Sequence, residues 1–446
     1  MKTILSHNVI MDDVVGKQAI KYDKEYRLIA FSHITKNDNT YLIYNTLTKE
    51  LIALDDEENE ILKAGNYDLK SEFICELIKK WFLVPTDFNE FKLCDQIAKI
   101  AKSIESKLGI WFYNIFTTTA CNARCFYCFE AGTKPKTMTL ETAEKVADYI
   151  IKNRIEREIT LHWFGGEPLC NTKVIDLICD KVNAHSTSFR SVIVTNGYLL
   201  DKELIKKAKN RWNVKYVQIT LDGMGDTYNR VKNYVNPVGN PFEKVINNIG
   251  LLIKNEIFVS VRMNMDLYNE KELYALTDLL VERFGPSRYI EINTNIIYED
   301  VGFVPTKRND KEREELQSKF FKLVKYQEDV KMIRRKFLPR KIRTGRCSAD
   351  SYHAVQILPC GELGNCEHYP DKYFYGTIFN DEPRQLWTDY AERLDICKTC
   401  AYYPECFILK RCNTKQCSDF RKKRILQELD RNVQYTYEVM LRQATK

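Results

Sequence analysis

The sequence predicts an α/β protein whose central part is a partial barrel of six β/α units, a (β/α)6 barrel. Six strand candidates alternate with amphipathic helical segments between residues 105 and 305, the pattern of a parallel sheet. The six units occupy about 190 residues, whereas a complete eight-unit barrel needs roughly 250. A strand-and-helix module precedes the barrel, and a cysteine-rich region follows it.

The N-terminal module, residues 1–100, is predicted to be winged-helix-like. The segment Thr40–Leu54 indicates two strands around a turn, and Asp55 and Asp56 are suited to cap a short helix that ends at Gly65. A second helix is predicted within residues 70–82. The simpler alternative is that the module only covers the next domain.

The strand candidates of the barrel domain, residues 105–305, are 111–119, 158–164, 191–195, 215–221, 258–265 and 289–297. Sites in such sheets lie at the carboxyl ends of the strands. Polar and glycine residues collect at these ends, in the segments "CNARCFYC", "GGEP", "TNG", "LDG" and "MNMD". We therefore expect the functional site there.

The barrel is followed by a predicted basic helical linker, residues 306–346. Within it, Lys331–Arg346 carries eight basic residues and no acidic one. Such runs are ordinarily solvated, and the alternative is a surface for an acidic peptide or a nucleic acid backbone. After Cys417 the pattern predicts one amphipathic helix that acts as a structural lid.

Composition and cysteine usage indicate a cytoplasmic protein. No apolar stretch approaches the ~20 residues of a membrane span, and the N-terminus has no apolar signal-peptide core. We expect no membrane partner. Of the 15 cysteines, three lie within residues 121–128 and eight within 347–417. In such a chain, clustered cysteines indicate metal or cluster ligands rather than disulfides.

The first cysteine group, Cys121, Cys125 and Cys128, has the spacing C-x3-C-x2-C. Thiolates bind soft metals and iron-sulfur clusters, and a 4Fe-4S cluster normally takes four of them. Three ligands would leave one iron open. A zinc site with a distant fourth ligand is the alternative, although no second cysteine pair lies nearby in the sequence.

This loop, followed by "GGEP" after the second strand, resembles the radical S-adenosylmethionine (radical SAM) enzymes. The resemblance implies that the three cysteines hold a 4Fe-4S cluster whose open iron binds S-adenosylmethionine. It also implies reductive cleavage of that molecule to a 5'-deoxyadenosyl radical, with an electron donor such as flavodoxin or ferredoxin. The contacts that it implies for S-adenosylmethionine are Tyr127 beside the adenine, Gly165, Gly166, Glu167 and Pro168 at the methionine amino group, and Thr195, Asn196, Arg262 and Asn264 as candidates for the ribose and carboxylate.

The C-terminal cysteines resemble the SPASM domain of peptide-modifying radical SAM enzymes, here over residues 347–446. The resemblance implies two auxiliary 4Fe-4S clusters and therefore three clusters in all. The implied ligand sets are Cys347, Cys360, Cys366 and Cys412 for one cluster, and Cys397, Cys400, Cys406 and Cys417 for the other. The spacing after Cys406 departs from the family pattern. If Cys360 were only a buried thiol, the first cluster would keep an open iron. Two zinc sites in a nucleic-acid-binding domain are the alternative, but zinc explains neither the first triplet nor "GGEP", so we expect no nucleic acid partner.

The N-terminal module resembles the leader-recognition domain of enzymes that mature ribosomally made peptides. Such domains add an extended leader peptide to a sheet edge. The predicted function is therefore radical SAM modification of a precursor peptide, which in this group most often forms a cysteine thioether cross-link. Carbon-carbon cross-linking and formylglycine formation in a sulfatase are the alternatives. No residue stands out as a catalytic acid or base. Glu167 and Asp222 have cofactor-binding or structural explanations, and histidines such as His162 and His353 are more often core residues than catalysts.

Overall fold

The computed structural model describes residues 1–5, 18–285, 287–297, 308–339, 347–368, 373–380, 382–387, 397–406 and 417–444. By its internal contacts the chain divides into two compact units. The N-terminal unit comprises residues 1–104, 335–347 and 388–446, and the barrel unit comprises residues 105–334 and 348–387. The segment predicted as one C-terminal domain, residues 347–446, is thus shared between the units. Cys412 and residues 340–346, the last part of the basic stretch, lie outside the described residues.

The strands, in chain order, are β1 (Lys2–Leu5), β2 (Tyr26–Leu28), β3 (Ser32–Asn37), β4 (Thr40–Asn45), β5 (Leu51–Leu54), β6 (Leu83–Pro85), β7 (Phe112–Thr118), β8 (Ile159–Gly165), β9 (Phe189–Thr195), β10 (Val214–Thr220), β11 (Phe258–Met265), β12 (Ile290–Ile296), β13 (Ala354–Ile357), β14 (Glu362–Gly364) and β15 (Gly376–Thr377). The helices are α1 (Asp56–Ala64), α2 (Glu72–Lys79), α3 (Glu90–Glu105), α4 (Leu140–Asn153), α5 (Thr172–Ala184), α6 (Lys202–Asn210), α7 (Gly225–Lys232), α8 (Pro241–Lys254), α9 (Glu270–Phe284), α10 (Asp310–Asp329) and α11 (Asp419–Ala444). None of the described helices has the length and apolar character needed to cross a membrane.

The N-terminal unit contains an antiparallel sheet in the order β1-β5-β4-β3. The predicted strands of Thr40–Leu54 pair as β4 and β5. Helix α1 begins as predicted, because the Asp55 side chain accepts a hydrogen bond from the Glu58 amide while the Glu58 side chain accepts one from the Asp55 amide. Gly65 ends the helix with φ of 72°, a conformation that glycine adopts without strain.

Helices cover both faces of this sheet. Residues of α1 and α2 pack with Ile43 and Ile52 on one face. On the other face, Leu429 and Val433 of α11 pack against Leu42 and Tyr44. The C-terminal helix is therefore part of the core of the N-terminal unit, because its apolar stripe completes a sheet that α1 and α2 cover only on one side.

A buried ion pair joins the β4–β5 turn to the segment 397–406 within this unit. The Lys49 ammonium pairs with the Glu405 carboxylate and also donates to the Thr46 carbonyl at 2.6 Å. Lys49 is 1% exposed and Glu405 is 6% exposed. Tyr403, two residues before Glu405, stacks on Phe31 with ring centroids 5.7 Å apart. The cysteines at 397, 400 and 406 thus lie on a segment anchored to the N-terminal module.

The barrel unit is built on one sheet in the order β12-β11-β10-β9-β8-β7-β13-β14-β15. The six predicted barrel strands are β7 to β12, and each pairs in parallel with its neighbour. Strand β13 pairs in parallel with β7, and β14 and β15 follow in antiparallel pairing. No sequence pattern predicted these last three strands, since they have only four, three and two residues, too few to show a periodicity.

The buried Lys49–Glu405 pair predicts a specific stability pattern. Replacing Glu405 by alanine leaves a buried ammonium without its carboxylate, and we expect a loss of about 3–5 kcal/mol in the free energy of unfolding. The double variant Lys49→Met with Glu405→Leu should recover most of this loss. Anaerobic denaturant unfolding followed by circular dichroism measures both, and equal losses in the single and double variants would contradict the assignment.

Candidate metal centre

The three cysteines of the C-x3-C-x2-C motif lie on the loop that follows β7. All three side chains are partly buried. Burial is the main cause of the raised pKa of Cys121, and Cys125 and Cys128 lie close enough to raise it further if they ionise. The Cys121 sulfur accepts a hydrogen bond from the Ala123 amide at 3.4 Å, and the Cys128 amide donates to the Cys125 carbonyl at 3.2 Å. The loop therefore holds three thiols in one neighbourhood at the carboxyl end of the first barrel strand.

Burial keeps the thiols of this loop protonated while no metal is bound. Burial raises the pKa of Cys121 to about 12 and that of Cys128 to about 11, and the pKa of Cys125 is raised by burial as well. The Glu167 carboxylate adds to the effect at Cys121. A thiol of this kind is protonated until a metal displaces the proton, so we expect metal loading to release protons.

The donor set fits an iron-sulfur cluster. Three thiols on one short loop are soft ligands, and no carboxylate or imidazole stands among them. Among the described residues, no three His, Cys, Asp or Glu side chains are already gathered at metal-binding distances. The residues that would hold the cluster are therefore assigned from their chemistry and their common loop.

The two glycines of "GGEP" allow the end of β8 to pack directly on the chain before Cys121. The Gly166 amide donates to the Thr118 carbonyl at 3.1 Å, and the Glu167 amide donates to the Ala120 carbonyl at 3.0 Å. A Cβ atom at Gly165 would lie 2.1 Å from the Thr118 oxygen, and one at Gly166 would lie 2.5 Å from the Ala120 oxygen. Only glycine fits at both positions.

The Glu167 carboxylate is fully buried and joins the end of β8 to the end of β9. One of its oxygens accepts from the Thr195 hydroxyl at 2.7 Å and from the Leu169 amide at 3.1 Å, while the other accepts from the Asn196 amide at 2.8 Å. Burial nevertheless raises the pKa of Glu167 to about 7. The predicted contact of Glu167 with a methionine amino group stays a prediction, and in this structure the carboxylate has an internal role.

The other residues predicted on these strand ends have varied surroundings. The Asn196 side chain donates to the Asn122 side chain at 2.7 Å and lies 4.0 Å from the Cys121 sulfur. The Pro168 carbonyl accepts from the Thr117 hydroxyl at 3.0 Å. On β11, the Arg262 guanidinium donates to the Asn264 side chain at 3.0 Å. The structure thus brings Asn196 beside a cysteine of the motif.

Tyr127, predicted beside an adenine, belongs to a buried polar triad. Its hydroxyl donates to the Asp222 carboxylate at 2.6 Å, and the Lys232 ammonium contacts both groups at 2.9 Å. Asp222 is fully buried, Lys232 is 3% exposed, and the positive charge of Lys232 lowers the pKa of Cys125 against the larger effect of burial. Sequence reasoning missed Lys232, because a lysine at the end of α7 matches no motif. Its only signal was its place shortly after the strand end that carries Asp222.

The C-terminal cysteines are distributed over both units. In the N-terminal unit, burial raises the pKa of Cys417, and Cys397 and Cys400 lie close enough to add a smaller electrostatic effect. These three thiols therefore lie near one another. Cys406 follows the short helical turn that ends at Glu405. In the barrel unit, Cys360 is exposed in the turn between β13 and β14, and Cys366 is buried just after β14. Cys347 belongs to the N-terminal unit and Cys412 lies outside the described residues, so the predicted ligand sets stay predictions.

The comparison with known proteins identifies the fold of the barrel unit. The model of the radical SAM superfamily matches residues 115–280. The chain is 26% identical to the radical SAM cyclopropyl synthase TigE of Paramaledivibacter caminithermalis, over 60% of this chain and 65% of that protein. It is 24% identical to the antilisterial bacteriocin subtilosin biosynthesis protein AlbA of Bacillus subtilis, over 65% of this chain and 66% of that protein. The chain thus spans just under two thirds of each of these relatives.

A solved structure extends the likeness of fold over most of the chain. The crystal structure of Streptococcus suis SuiB bound to S-adenosylmethionine superposes with a TM-score of 0.51 at 13% identity, over 85% of this chain and 94% of that one. At this identity the likeness concerns the fold alone.

The buried Glu167 predicts a dependence of stability on pH. The pKa of Glu167 rises from 4.5 in the unfolded chain to about 7 in the folded protein, so the folded state binds the proton more tightly. The contribution of this group to the free energy of unfolding is therefore fully present below pH 4.5 and is lost as the pH rises to 7. The loss across this window should be roughly 3 kcal/mol.

The Glu167→Gln variant isolates this effect. It should lack the fall between pH 4.5 and 7, although its stability is lower overall because the amide nitrogen faces a backbone donor. Thermal unfolding of both proteins at several pH values measures the difference, and parallel profiles would refute it.

Proposed function

Because the chain belongs to the radical SAM superfamily through residues 115–280, and is an enzyme of that class, we propose that it is a maturase that modifies a ribosomally made precursor peptide. The finer assignment within this proposal is a cross-link, most often in such enzymes a cysteine thioether. The proposal rests on the residues of the two units and on the printed names of two relatives, one a bacteriocin biosynthesis protein and the other a cyclopropyl synthase.

Cys121, Cys125 and Cys128 would hold the 4Fe-4S cluster, and S-adenosylmethionine would bind at its open iron. When bound, these groups supply a one-electron cleavage that produces a 5'-deoxyadenosyl radical able to abstract hydrogen. The side chains of the protein itself hold the cysteine loop and the neighbouring strand ends in position. Glu167 fixes the ends of β8 and β9 against the cysteine loop, and the Asp222–Lys232 pair holds the Tyr127 side chain of that loop in place.

The proposal of a peptide substrate is supported mainly by the exposed edge of the N-terminal sheet. Strand β3 is at one end of the strand order and pairs only with β4 among the described residues. Ile34 on this strand is 41% exposed. An unpaired strand offers backbone donors and acceptors to an extended peptide, and an exposed apolar side chain adds a contact. A barrel that only cleaves S-adenosylmethionine has no need of such an edge.

The side chain of Gln434 on α11 shows which backbone groups of β3 point away from β4, and it occupies one of them, the Lys36 carbonyl. It lies 3.5 Å from the Lys36 carbonyl, so this carbonyl points away from β4. In a strand, the amide and carbonyl of one residue point to the same side, and alternate residues share that side. The backbone groups of Ile34 are therefore directed to the free edge as well, where a leader peptide would pair.

The auxiliary clusters are part of the proposal. Cys397, Cys400, Cys406 and Cys417 would hold one, and Cys347, Cys360, Cys366 and Cys412 the other. Cys360 is exposed rather than buried, which makes it available as a ligand and supports full ligation over an open iron. Carbon-carbon cross-linking remains compatible with the same residues, and the choice between the two bonds depends on the peptide.

The decisive experiment combines the reconstituted enzyme, S-adenosylmethionine, a reductant such as reduced flavodoxin, and the peptide encoded by a short cysteine-rich reading frame beside the gene. We expect 5'-deoxyadenosine and a peptide lighter by two hydrogens for each bond formed. The variant in which Cys121, Cys125 and Cys128 are alanine should produce neither, while it retains the iron of the auxiliary sites. An unchanged peptide mass with continued formation of 5'-deoxyadenosine would refute the cross-linking function.

The edge strand gives a separate prediction for the leader peptide. Replacing Ile34 by lysine should weaken leader binding about tenfold, since an apolar contact of ~1.4 kcal/mol is lost. Fluorescence anisotropy with a labelled leader measures this. The matched control is Ile100→Lys, since Ile100 is 48% exposed in the same unit but lies on α3. Equal effects of both substitutions would contradict a role for β3.

A further inference from the structure

The inner face of the barrel sheet carries polar side chains that the cluster site does not use. On β7, the Tyr113 hydroxyl donates to the Ile150 carbonyl of α4, so Tyr113 faces the outer helices. Side chains alternate along a strand, and Asn114 therefore faces the barrel interior. His162 of β8 lies on the same face, because its Nδ1 atom is 2.9 Å from the Asn114 side-chain oxygen. Gln356 of β13 is the register partner of Asn114 and shares that face.

The side chains of Asn114, His162 and Gln356 form a polar row across three neighbouring strands. Gln356 is the unusual member of this row. It is 1% exposed, yet neither its side-chain nitrogen nor its side-chain oxygen has a hydrogen-bond partner among the described residues. Its neighbour across the next strand, Gly364, has no side chain to offer. A buried amide without partners costs free energy. Such a group is explained most simply if a ligand supplies the partners.

His162 adds an acceptor to the same face. Burial lowers the pKa of His162 to about 4, so its ring is neutral at physiological pH. With Nδ1 donating to Asn114, the Nε2 atom presents a lone pair. His162 is partly exposed, so a ligand can reach it. A ligand would satisfy the hydrogen-bonding groups of this row if it offered a donor to Nε2 of His162 and both a donor and an acceptor to the Gln356 amide.

The row lies below the cysteine loop along a path of aromatic side chains. Phe129, the residue after Cys128, lies near Phe164 with ring centroids 6.4 Å apart. Phe164 in turn lies 5.6 Å from the His162 ring. His162 is three residues before the end of β8, which is ~10 Å along the strand. A chain that enters the barrel interior could therefore meet the row while another of its residues lies at the cysteine loop.

We infer that Gln356, Asn114 and His162 form a subsite that binds the backbone of the substrate peptide, with its N–H and C=O groups as the ligand. Neighbouring strands are ~4.8 Å apart, so the backbones at Gln356 and His162, which flank β7 on either side, are ~10 Å apart. Alternate peptide groups of an extended chain are ~7 Å apart, and the two side chains can span the difference of ~3 Å by leaning towards Asn114. Recognition of backbone rather than side chains would position a peptide without regard to its sequence. This inference rests on the peptide substrate proposed above.

The probe is N-acetylglycylglycine N-methylamide, which has three peptide groups and no side chain. The full-length reconstituted enzyme is treated anaerobically with diethyl pyrocarbonate, which acylates a neutral imidazole nitrogen, and mass spectrometry quantifies the label at His162. We expect His162 to be labelled and the probe to protect it. In the Gln356→Leu variant, half-maximal protection should need at least about tenfold more probe.

A second measurement distinguishes a binding role from a structural one. Because the Gln356 amide is unsatisfied, Gln356→Leu should raise the Tm of the enzyme by about 2 °C or more in the absence of probe. Gln327 is the matched control. It is fully buried, accepts from the Thr294 hydroxyl at 2.7 Å and donates to the Thr277 hydroxyl at 3.2 Å. Gln327→Leu should lower the Tm and leave protection of His162 unchanged.

The outcomes separate the subsite from the proposed function. The subsite is refuted if the probe does not protect His162, if Gln356→Leu leaves protection unchanged, or if Gln356→Leu lowers the Tm as Gln327→Leu does. Gln356→Met, which keeps the length of the side chain, replaces the leucine variant if leucine does not pack. Neither measurement needs S-adenosylmethionine cleavage or the precursor peptide, so failure of the proposed function would appear only in the peptide mass.

Discussion

The buried carboxylate of Glu167 is the interaction on which the cysteine site depends. Backbone hydrogen bonds place its chain on the end of β7, and its side chain bonds to the residues that end β9. Three neighbouring strand ends are thereby held together beneath the loop of the three thiols. Parallel strands are otherwise joined only along their ladders, which leaves their ends free to move. The carboxylate is retained although burial opposes its charge, because its three donors have no other acceptor in this region.

The same principle, a buried charge with few but specific partners, recurs at two other points. Asp222 and Lys232 hold Tyr127 of the cysteine loop, and Lys49 and Glu405 hold the segment of the C-terminal cysteines. Each pair fixes an irregular segment that has too little apolar surface to be positioned by packing alone. Loops that carry cluster ligands need such fixation, because cluster geometry tolerates little displacement of the sulfur atoms. Gln356 differs from these pairs, since neither of its side-chain polar atoms has a hydrogen-bond partner among the described residues.

The sequence predicted the backbone of the site better than the contacts of its side chains. The strand ends that carry Cys121, Glu167 and Asn196 could be located, since βα periodicity and glycine-rich strand ends are local patterns. The role of Glu167 could not, because two of its three donors, at Thr195 and Asn196, come from the end of a strand about thirty residues later in the chain. Lys232 has no local signature, and Gln356 sits in a strand of four residues. The roles of these residues depend on which residues the strand register places beside them, and this is known only from the structure.

The sequence by itself determined the six-unit barrel, the hairpin and helix α1 of the N-terminal module, and the loop of three thiols. Each of these follows from spacing within a short window, where steric and hydrogen-bonding preferences act directly. Only the tertiary structure decided that residues 348–387 extend the barrel sheet while 388–446 belong with the N-terminal module. It alone also decided which polar groups meet. The physical reason is that pairing of strands and burial of charge join residues far apart in the chain, and composition and periodicity carry no record of such partners.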